Sequence, residues 1–245
     1  MNLRNQLGQA PGLRDGLITG GAPTMWSRVM LDALPFIKQY IHVGSSVLEV
    51  GYGDGLLSIW LCRKLDIKII GLDISRDCQI TAQSHSKVFG VDDRIKFECC
   101  LPEETCRHRG KYDAVFIKTV LYNSKTLQEY GQWLDWILTV LKPEGVLINF
   151  ESGRANSIVR LYRRLRRRSY TDLCLYTSEV EELYNDRFNV LYRKYYGGWS
   201  QFIAPIGTLY RWAYRMEETI RDRNSDNCFI MAFIGKRAKS DSILQ

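Results

Sequence analysis

The stretch Val47-Leu48-Glu49-Val50-Gly51-Tyr52-Gly53-Asp54-Gly55 constrains this chain more than any other. A short apolar run, Ser46–Val50, leads straight into a turn with glycine at every second position. The apolar repeat of Leu56–Leu65 then follows at helical spacing. Glycines so spaced let the backbone reverse sharply and let a ligand lie against the main chain. The helix that follows offers N–H groups without intrahelical partners. A strand, a tight turn and a crossover helix in that order open a parallel α/β sheet and exclude an all-α or all-β chain.

The rest of the chain extends the same pattern. Ile67–Leu72 reads as a second strand and Asp77–Phe89 as a second helix. Arg94–Cys99 alternates like a strand, and Tyr112–Ile117 is a short buried run. Leu127–Leu141 is a strongly apolar amphipathic helix, and Gly145–Phe150 another buried strand. Ahead of them, Trp26, Val29, Met30, Ala33 and Ile37 recur at helical spacing, with Thr24 as N-cap and Pro35 expected to kink or end the helix. Beyond Glu151, Asn156–Arg168 reads as a basic helix, Ser178–Tyr184 as a short helix with a Ser178/Glu181 capping box, and Thr208–Arg221 as a helix. Phe188–Tyr196 and Cys228–Ile234 read as strands. The predicted fold is α/β and Rossmann-like: a seven-stranded, mostly parallel sheet, helices on both faces, and helical lid insertions after strands 5 and 6. Three regions are expected: an N-terminal arm and helix over 1–45, a cofactor-binding core over 46–151, and completion of the sheet with a basic insertion and an aromatic lid over 152–245.

Details of the glycine turn separate it from a dinucleotide site. That fingerprint is G-x-G-x-x-G, whereas here the spacing is G-x-G-x-G and position 56 is Leu. Glu49, two residues before the first glycine, would repel a pyrophosphate but suits a ligand with an ammonium group. Asp73 closes the second strand, 18 residues after Gly55. At the carboxyl edge of a parallel sheet its carboxylate lies beside the glycine turn, where it can accept both ribose hydroxyls of an adenosine.

With these residues the sequence resembles the class I S-adenosylmethionine-dependent methyltransferases. Glu49-x-Gly51-x-Gly53-x-Gly55 matches the family's first motif and Asp73 its ribose-binding acid. Lys111-Tyr112-Asp113-Ala114-Val115-Phe116 resembles the fourth-strand motif, and Leu141-Lys142-Pro143-Glu144-Gly145-Val146-Leu147-Ile148 the turn and fifth strand. The resemblance covers roughly Val47 to Phe150. It implies S-adenosylmethionine as cofactor, with Gly51, Tyr52, Gly53 and Gly55 beneath it and Glu49 orienting its methionine end. Asp73 would hold the ribose and Ile74 pack on adenine. Cys100 and Leu101 would lie at the adenine edge, although a thiol is a poor acceptor for the adenine amine. Lys118 and Thr119 would lie near the methyl donor. The His that many small-molecule relatives carry beyond the fourth strand is here Asn123, so Tyr122 and Glu151 stand as the candidate bases.

The formal charge of +7 is local. Ser152 to Thr171 holds seven arginines (Arg154, Arg160, Arg163, Arg164, Arg166, Arg167 and Arg168) and no acid, while the remaining residues carry 27 basic and 27 acidic groups. Arg163, Arg164 and Arg167 lie opposite an apolar face formed by Ile158, Leu161, Tyr162 and Leu165. That helix is either a solvated lid or a contact for an anionic substrate or membrane surface. Trp26, Asn123, Trp199 and Tyr210 are candidate acceptor-pocket residues. Nucleic acid is disfavoured, since the arginines lack interleaved aromatics. Cys99, Cys100, Cys106 and His108 lack paired zinc spacing, so no metal is expected. No apolar run reaches the length of a membrane span, and seven cysteines without an export signal predict reduced thiols and a cytoplasmic protein, with peripheral membrane contact allowed by the basic helix.

These features predict methyl transfer to a small molecule such as a natural product, glycoside or lipid-linked compound. A cyclopropane-synthase-like lipid enzyme, an RNA methyltransferase and a non-catalytic scaffold that keeps the cofactor fold are the alternatives. A nicotinamide-dependent dehydrogenase fits worst, because of the glycine spacing.

Overall fold

The computed structural model describes residues 25–100, 108–153, 177–196, 216, 228 and 230–238. The element order is α1 (Met25–Tyr40), β1 (Ser46–Val50), α2 (Leu56–Leu65), β2 (Lys68–Asp73), α3 (Arg76–Phe89), β3 (Ile95–Cys99), β4 (Tyr112–Lys118), a 3-10 turn (Leu121–Asn123), α4 (Leu127–Val140), β5 (Leu141–Ser152), α5 (Thr177–Asn185), β6 (Phe188–Tyr196) and β7 (Ile230–Arg237). The strands form one seven-stranded sheet in the order β3-β2-β1-β4-β5-β7-β6. β1 to β5 pair in parallel, and β7 enters antiparallel between β5 and β6.

Side chains alternate between the two faces of this sheet, and both faces are covered. On one, Val47, Ile69, Phe97, Phe116, Ile148 and Ile234 meet Met30, Ile37, Ile59 and Trp60 from α1 and α2, with Ala82 from α3. On the other, Leu48, Leu72, Val115, Leu147 and Phe233 meet Leu134 and Ile137 from α4 and Val180 and Tyr184 from α5. α1 belongs to the first layer and is fastened to the edge strand: Lys194 Nζ lies 2.7 Å from Asp32, and the Tyr196 hydroxyl donates to the same carboxylate at 3.2 Å.

Caps explain where the crossover helices begin and end. The Ser75 side chain accepts from the Cys78 N–H at the start of α3, and Thr126 accepts from Glu129 at the start of α4. Gly90 closes α3 in the left-handed region, which a side chain would resist.

Three sequence expectations are corrected. Pro35 neither ends nor breaks α1, which runs on to Tyr40. Pro35 is exposed, so water can reach the carbonyl it leaves without a donor, while Ala33 and Ile37 stay buried around it. β5 starts at Leu141, where a turn was expected, because Leu141 is buried and pairs with Tyr112. The register shifts between Tyr112 and Ala114, which lets Pro143 occupy an irregular part of the ladder, where its missing donor is tolerated. The last strand lies two to three residues later than expected, over Ile230–Arg237. The basic helix at 156–168, the lid helix at 208–221 (Met216 apart, which is helical) and the Thr24 cap fall outside the described residues.

Gly71 shows how tightly the first layer fits. A Cβ there would lie 2.7 Å from the Tyr52 ring and 2.8 Å from the Phe97 ring, two rings whose centroids are 4.7 Å apart. Gly71→Val is expected to lower the unfolding free energy by about 1–3 kcal/mol through overpacking. Urea denaturation measures this, and an unchanged midpoint would contradict the packing described.

Candidate functional site

Strand order reverses between β1 and β4. From β1 the chain builds outward to β2 and β3, then returns to lay β4 on the other side of β1. Two adjacent strands whose connections leave in opposite directions open a crevice at their carboxyl ends. A cavity of about 780 Å³ lies there. Its wall is formed by Val50 and Gly51 after β1, Leu72, Asp73 and Ile74 after β2, and Lys118, Thr119 and Val120 after β4. Asn123, Ser124 and the outward turn of α4 complete it, with Trp133 and Trp136 in a T-shaped pair at 5.9 Å.

The glycine turn is held by backbone geometry. Gly51, Gly53 and Gly55 all have positive φ, at 72°, 54° and 74°. A Cβ on Gly51 would overlap the Val120 side chain, so that glycine is required both by conformation and by close approach. Gly53 is different: a Cβ there meets nothing within 4 Å, so this part of the turn presents open backbone. The Gly53 N–H donates to Asp73 Oδ2 at 3.0 Å, and the Ser75 N–H donates to Asp73 Oδ1 at 3.0 Å. Each carboxylate oxygen has room for a further donor. Ile74 leaves 71% of its surface exposed at this cavity, an apolar face with no covering side chain among the described residues.

Glu49 points away from the cavity. It is buried against the α2 layer and accepts the Ser58 hydroxyl. Burial pushes its carboxyl up to about 8, while the Ser58 hydrogen bond and the Lys118 charge oppose the rise. Burial also pulls the Lys118 ammonium down, with Glu49 and Asp54 opposing that shift. The wall therefore carries a half-buried lysine, and a buried acid lies behind it. Tyr52 turns into the core, where its ring meets Phe97 and its hydroxyl donates to the Glu98 carbonyl at 3.3 Å.

Gly51, Asp73, Ile74, Cys100, Lys118 and Asn123 thus come together on one cavity. Gly53 and Gly55 lie in its turn, and Glu49 and Tyr52 lie behind it. Tyr122 and Glu151 line a separate small cavity of about 30 Å³ with Tyr130, Thr177 and Met231. Leu101, Cys106, Arg163, Arg164, Arg167, Trp199 and Tyr210 lie outside the described residues, and Trp26 is placed only as a helical position. Sequence reasoning missed Ser58, Val120 and the Trp133–Trp136 pair. The two tryptophans are three apart on a helix, a spacing that reads equally well as core. Thr119 is a β-branched residue at φ 56°, a costly conformation with no sequence signature.

The residues fit an adenosine-bearing cofactor. The carboxylate has free acceptor positions for two hydroxyls, the glycine turn is open at Gly53, and Ile74 offers an apolar face for a ring. Comparisons with known proteins agree. A family model described as methyltransferase domain matches residues 47–145. The mitochondrial ubiquinone biosynthesis O-methyltransferase of Saccharomyces cerevisiae is 36% identical over 72 residues, 29% of this chain and 22% of that protein's length. In three dimensions the chain is similar to the 4+2 cyclase SpnF, with a TM-score of 0.62 at 17% identity over 96% of this chain and 92% of that one. It is also similar to the geranyl diphosphate C-methyltransferase of Streptomyces coelicolor, solved with S-adenosyl-L-homocysteine, with a TM-score of 0.59 at 12% identity over 87% and 82% of the two chains.

Burial of Glu49 makes a pH prediction. Its folded-state pKa, about 8, stands above the ordinary 4.5. The stability it contributes is full below 4.5 and is lost as pH rises through 8. Relative to wild type, Glu49→Gln should therefore gain stability as pH is raised from 5 to 9. Thermal unfolding of the two proteins across that range checks this, and parallel curves would contradict it.

Proposed function

We propose that the chain is a class I S-adenosylmethionine-dependent methyltransferase, as the methyltransferase-domain match over residues 47–145 supports, and that it transfers a methyl group to a small-molecule acceptor. The observation that carries the reading is the cavity at the strand-order reversal, with the glycine turn and the Asp73 carboxylate on one wall. Its volume falls within the usual range for small-molecule sites and leaves room for an acceptor beside a cofactor.

When bound, S-adenosylmethionine supplies a methyl group already activated on a sulfonium, so the protein must chiefly bind, align and exclude water. Asp73 binds: its carboxylate, oriented by the Gly53 and Ser75 N–H groups, accepts the two ribose hydroxyls. Ile74 gives the adenine an apolar face. Lys118 offers its side-chain nitrogen to the carboxylate of the methionine end; burial lowers its pKa, and the neighbouring Glu49 and Asp54 oppose that shift. Thr119 and Asn123 face the cavity beyond β4 and contact the acceptor. Asn123 donates its side-chain amide to the Val120 carbonyl at 3.0 Å, so its carbonyl oxygen remains available to receive a donor from the acceptor. In this reading no side chain of the cavity wall among the described residues serves as a strong base, which suits an acceptor atom that is nucleophilic at neutral pH or loses its proton to water.

The arginine-rich sequence supports one refinement. It begins at Gly153 and Arg154, directly after β5, whose carboxyl end lies at the same edge of the sheet. Seven arginines joined to that edge favour an acceptor with an anionic group, free or lipid-linked. Among the described residues no helix is long and apolar enough to cross a membrane.

Calorimetry tests the cofactor assignment. Wild type should bind S-adenosylhomocysteine, and Asp73→Ala should weaken binding by roughly 30-fold or more through loss of two charge-assisted hydrogen bonds. No binding by folded wild type would overturn the proposal.

A further inference from the structure

Glu151 is the penultimate residue of β5 and faces the α4/α5 layer, where it is only 2% exposed. Both oxygens of its carboxylate accept main-chain N–H groups from another part of the fold. Oε1 accepts the N–H of Val120 at 3.1 Å and of Leu121 at 2.9 Å, and Oε2 accepts the N–H of Tyr122 at 3.2 Å. These are the leading N–H groups of the 3-10 turn, which have no partner inside a turn of that kind. Val120 stands at the N-cap position, and no side-chain cap comes from the turn itself. Glu151 therefore does, from a neighbouring strand, what a capping side chain would otherwise do.

The capped turn is part of the cavity. Val120 packs so closely over Gly51 that a Cβ on that glycine would overlap it, and Asn123, the residue directly after the capped stretch, lies on the cavity wall. Just before the turn, Thr119 is held at φ 56°, a conformation that persists only where surroundings enforce it. A buried carboxylate is expensive to keep, and replacing it would strand three main-chain N–H groups, that of Leu121 buried and those of Val120 and Tyr122 half-buried. That combination assigns it a local task rather than a general contribution to stability.

We propose that Glu151 is a positioning residue: its carboxylate fixes the turn after β4, and through Val120 it fixes Gly51 and the floor of the cavity. It is set back from the reacting atoms, since it lines the separate small cavity and not the main one. Only the ligand-binding readout below rests on the methyltransferase reading, and the exchange readout is independent of it.

Residue-resolved amide exchange by NMR tests the clamp on ligand-free protein. In wild type, the amides of Val120, Leu121 and Tyr122 should exchange at least roughly 100-fold more slowly than unprotected amides, as in other buried hydrogen bonds. Glu151→Gln keeps one acceptor oxygen for Val120 and Leu121 but turns an NH2 group towards Tyr122. The Tyr122 amide should then exchange about tenfold faster or more, with the β1 and β2 amides unchanged. Glu151→Asp keeps the charge and should restore part of the protection. S-adenosylhomocysteine affinity should fall about tenfold in the Gln variant and less in the Asp variant, in the same order as the exchange rates. Fast exchange of the three amides in wild type would overturn the proposal, and so would a Gln variant with unchanged exchange. If the Gln variant fails to fold, the wild-type protection pattern decides. If wild type does not bind S-adenosylhomocysteine, the methyltransferase reading fails while the exchange data still decide the clamp.

Discussion

The hydrogen bond from the Gly53 N–H to the Asp73 carboxylate ties together the parts on which the site depends. β1 and β2 are parallel neighbours, so their carboxyl ends lie side by side, and the turn after one can reach the acid that ends the other. The Gly51 N–H extends the pairing by donating to the Leu72 carbonyl at 2.8 Å. For the turn to bend back towards Asp73, three residues must take positive φ, and only glycine does so without strain. Position along the sheet, turn conformation and carboxylate orientation are thus one constraint. The cavity opens where it does because β4 lies on the other side of β1, leaving space over the turn.

Two buried acids brace that arrangement from opposite faces of the sheet. Glu49 lies under α2 with Ser58, and Glu151 lies under α4 and α5 with the amides of the turn after β4. Burial raises both carboxyls, to about 8 and about 7, so each sits near its titration range at neutral pH. For Glu151, hydrogen bonds from Leu121, Val120 and Tyr122 oppose the rise. Neither acid lines the main cavity. Both lie next to what does: Glu49 beside Lys118, and Glu151 against the main chain of Val120, Leu121 and Tyr122.

Much of this was legible in the sequence, because the informative signals are local. The strand, glycine turn and helix over 46–65 lie contiguously in the chain, and Asp73 ends the next apolar run. Features that depend on distant partners were not legible. Pro35 stays inside α1 because its exposed side lets water serve the orphan carbonyl. β5 begins early because Leu141 finds Tyr112 across the sheet. Glu151 reads in sequence as a candidate base at a strand end, and its hydrogen bonds to residues some thirty positions earlier appear only in three dimensions. Trp133 and Trp136 are core-like in spacing, and only the placement of α4 turns them towards the cavity.

A crystal structure of the protein with S-adenosylhomocysteine decides whether Asp73 and the glycine turn hold the cofactor. The ribose hydroxyls should lie on the Asp73 carboxylate, the ligand backbone over Gly53 and the adenine against Ile74, with the Glu151-capped turn in place. Ligand density away from Asp73 and the glycine turn, or a crystal grown in saturating ligand that shows none in the cavity, would contradict it.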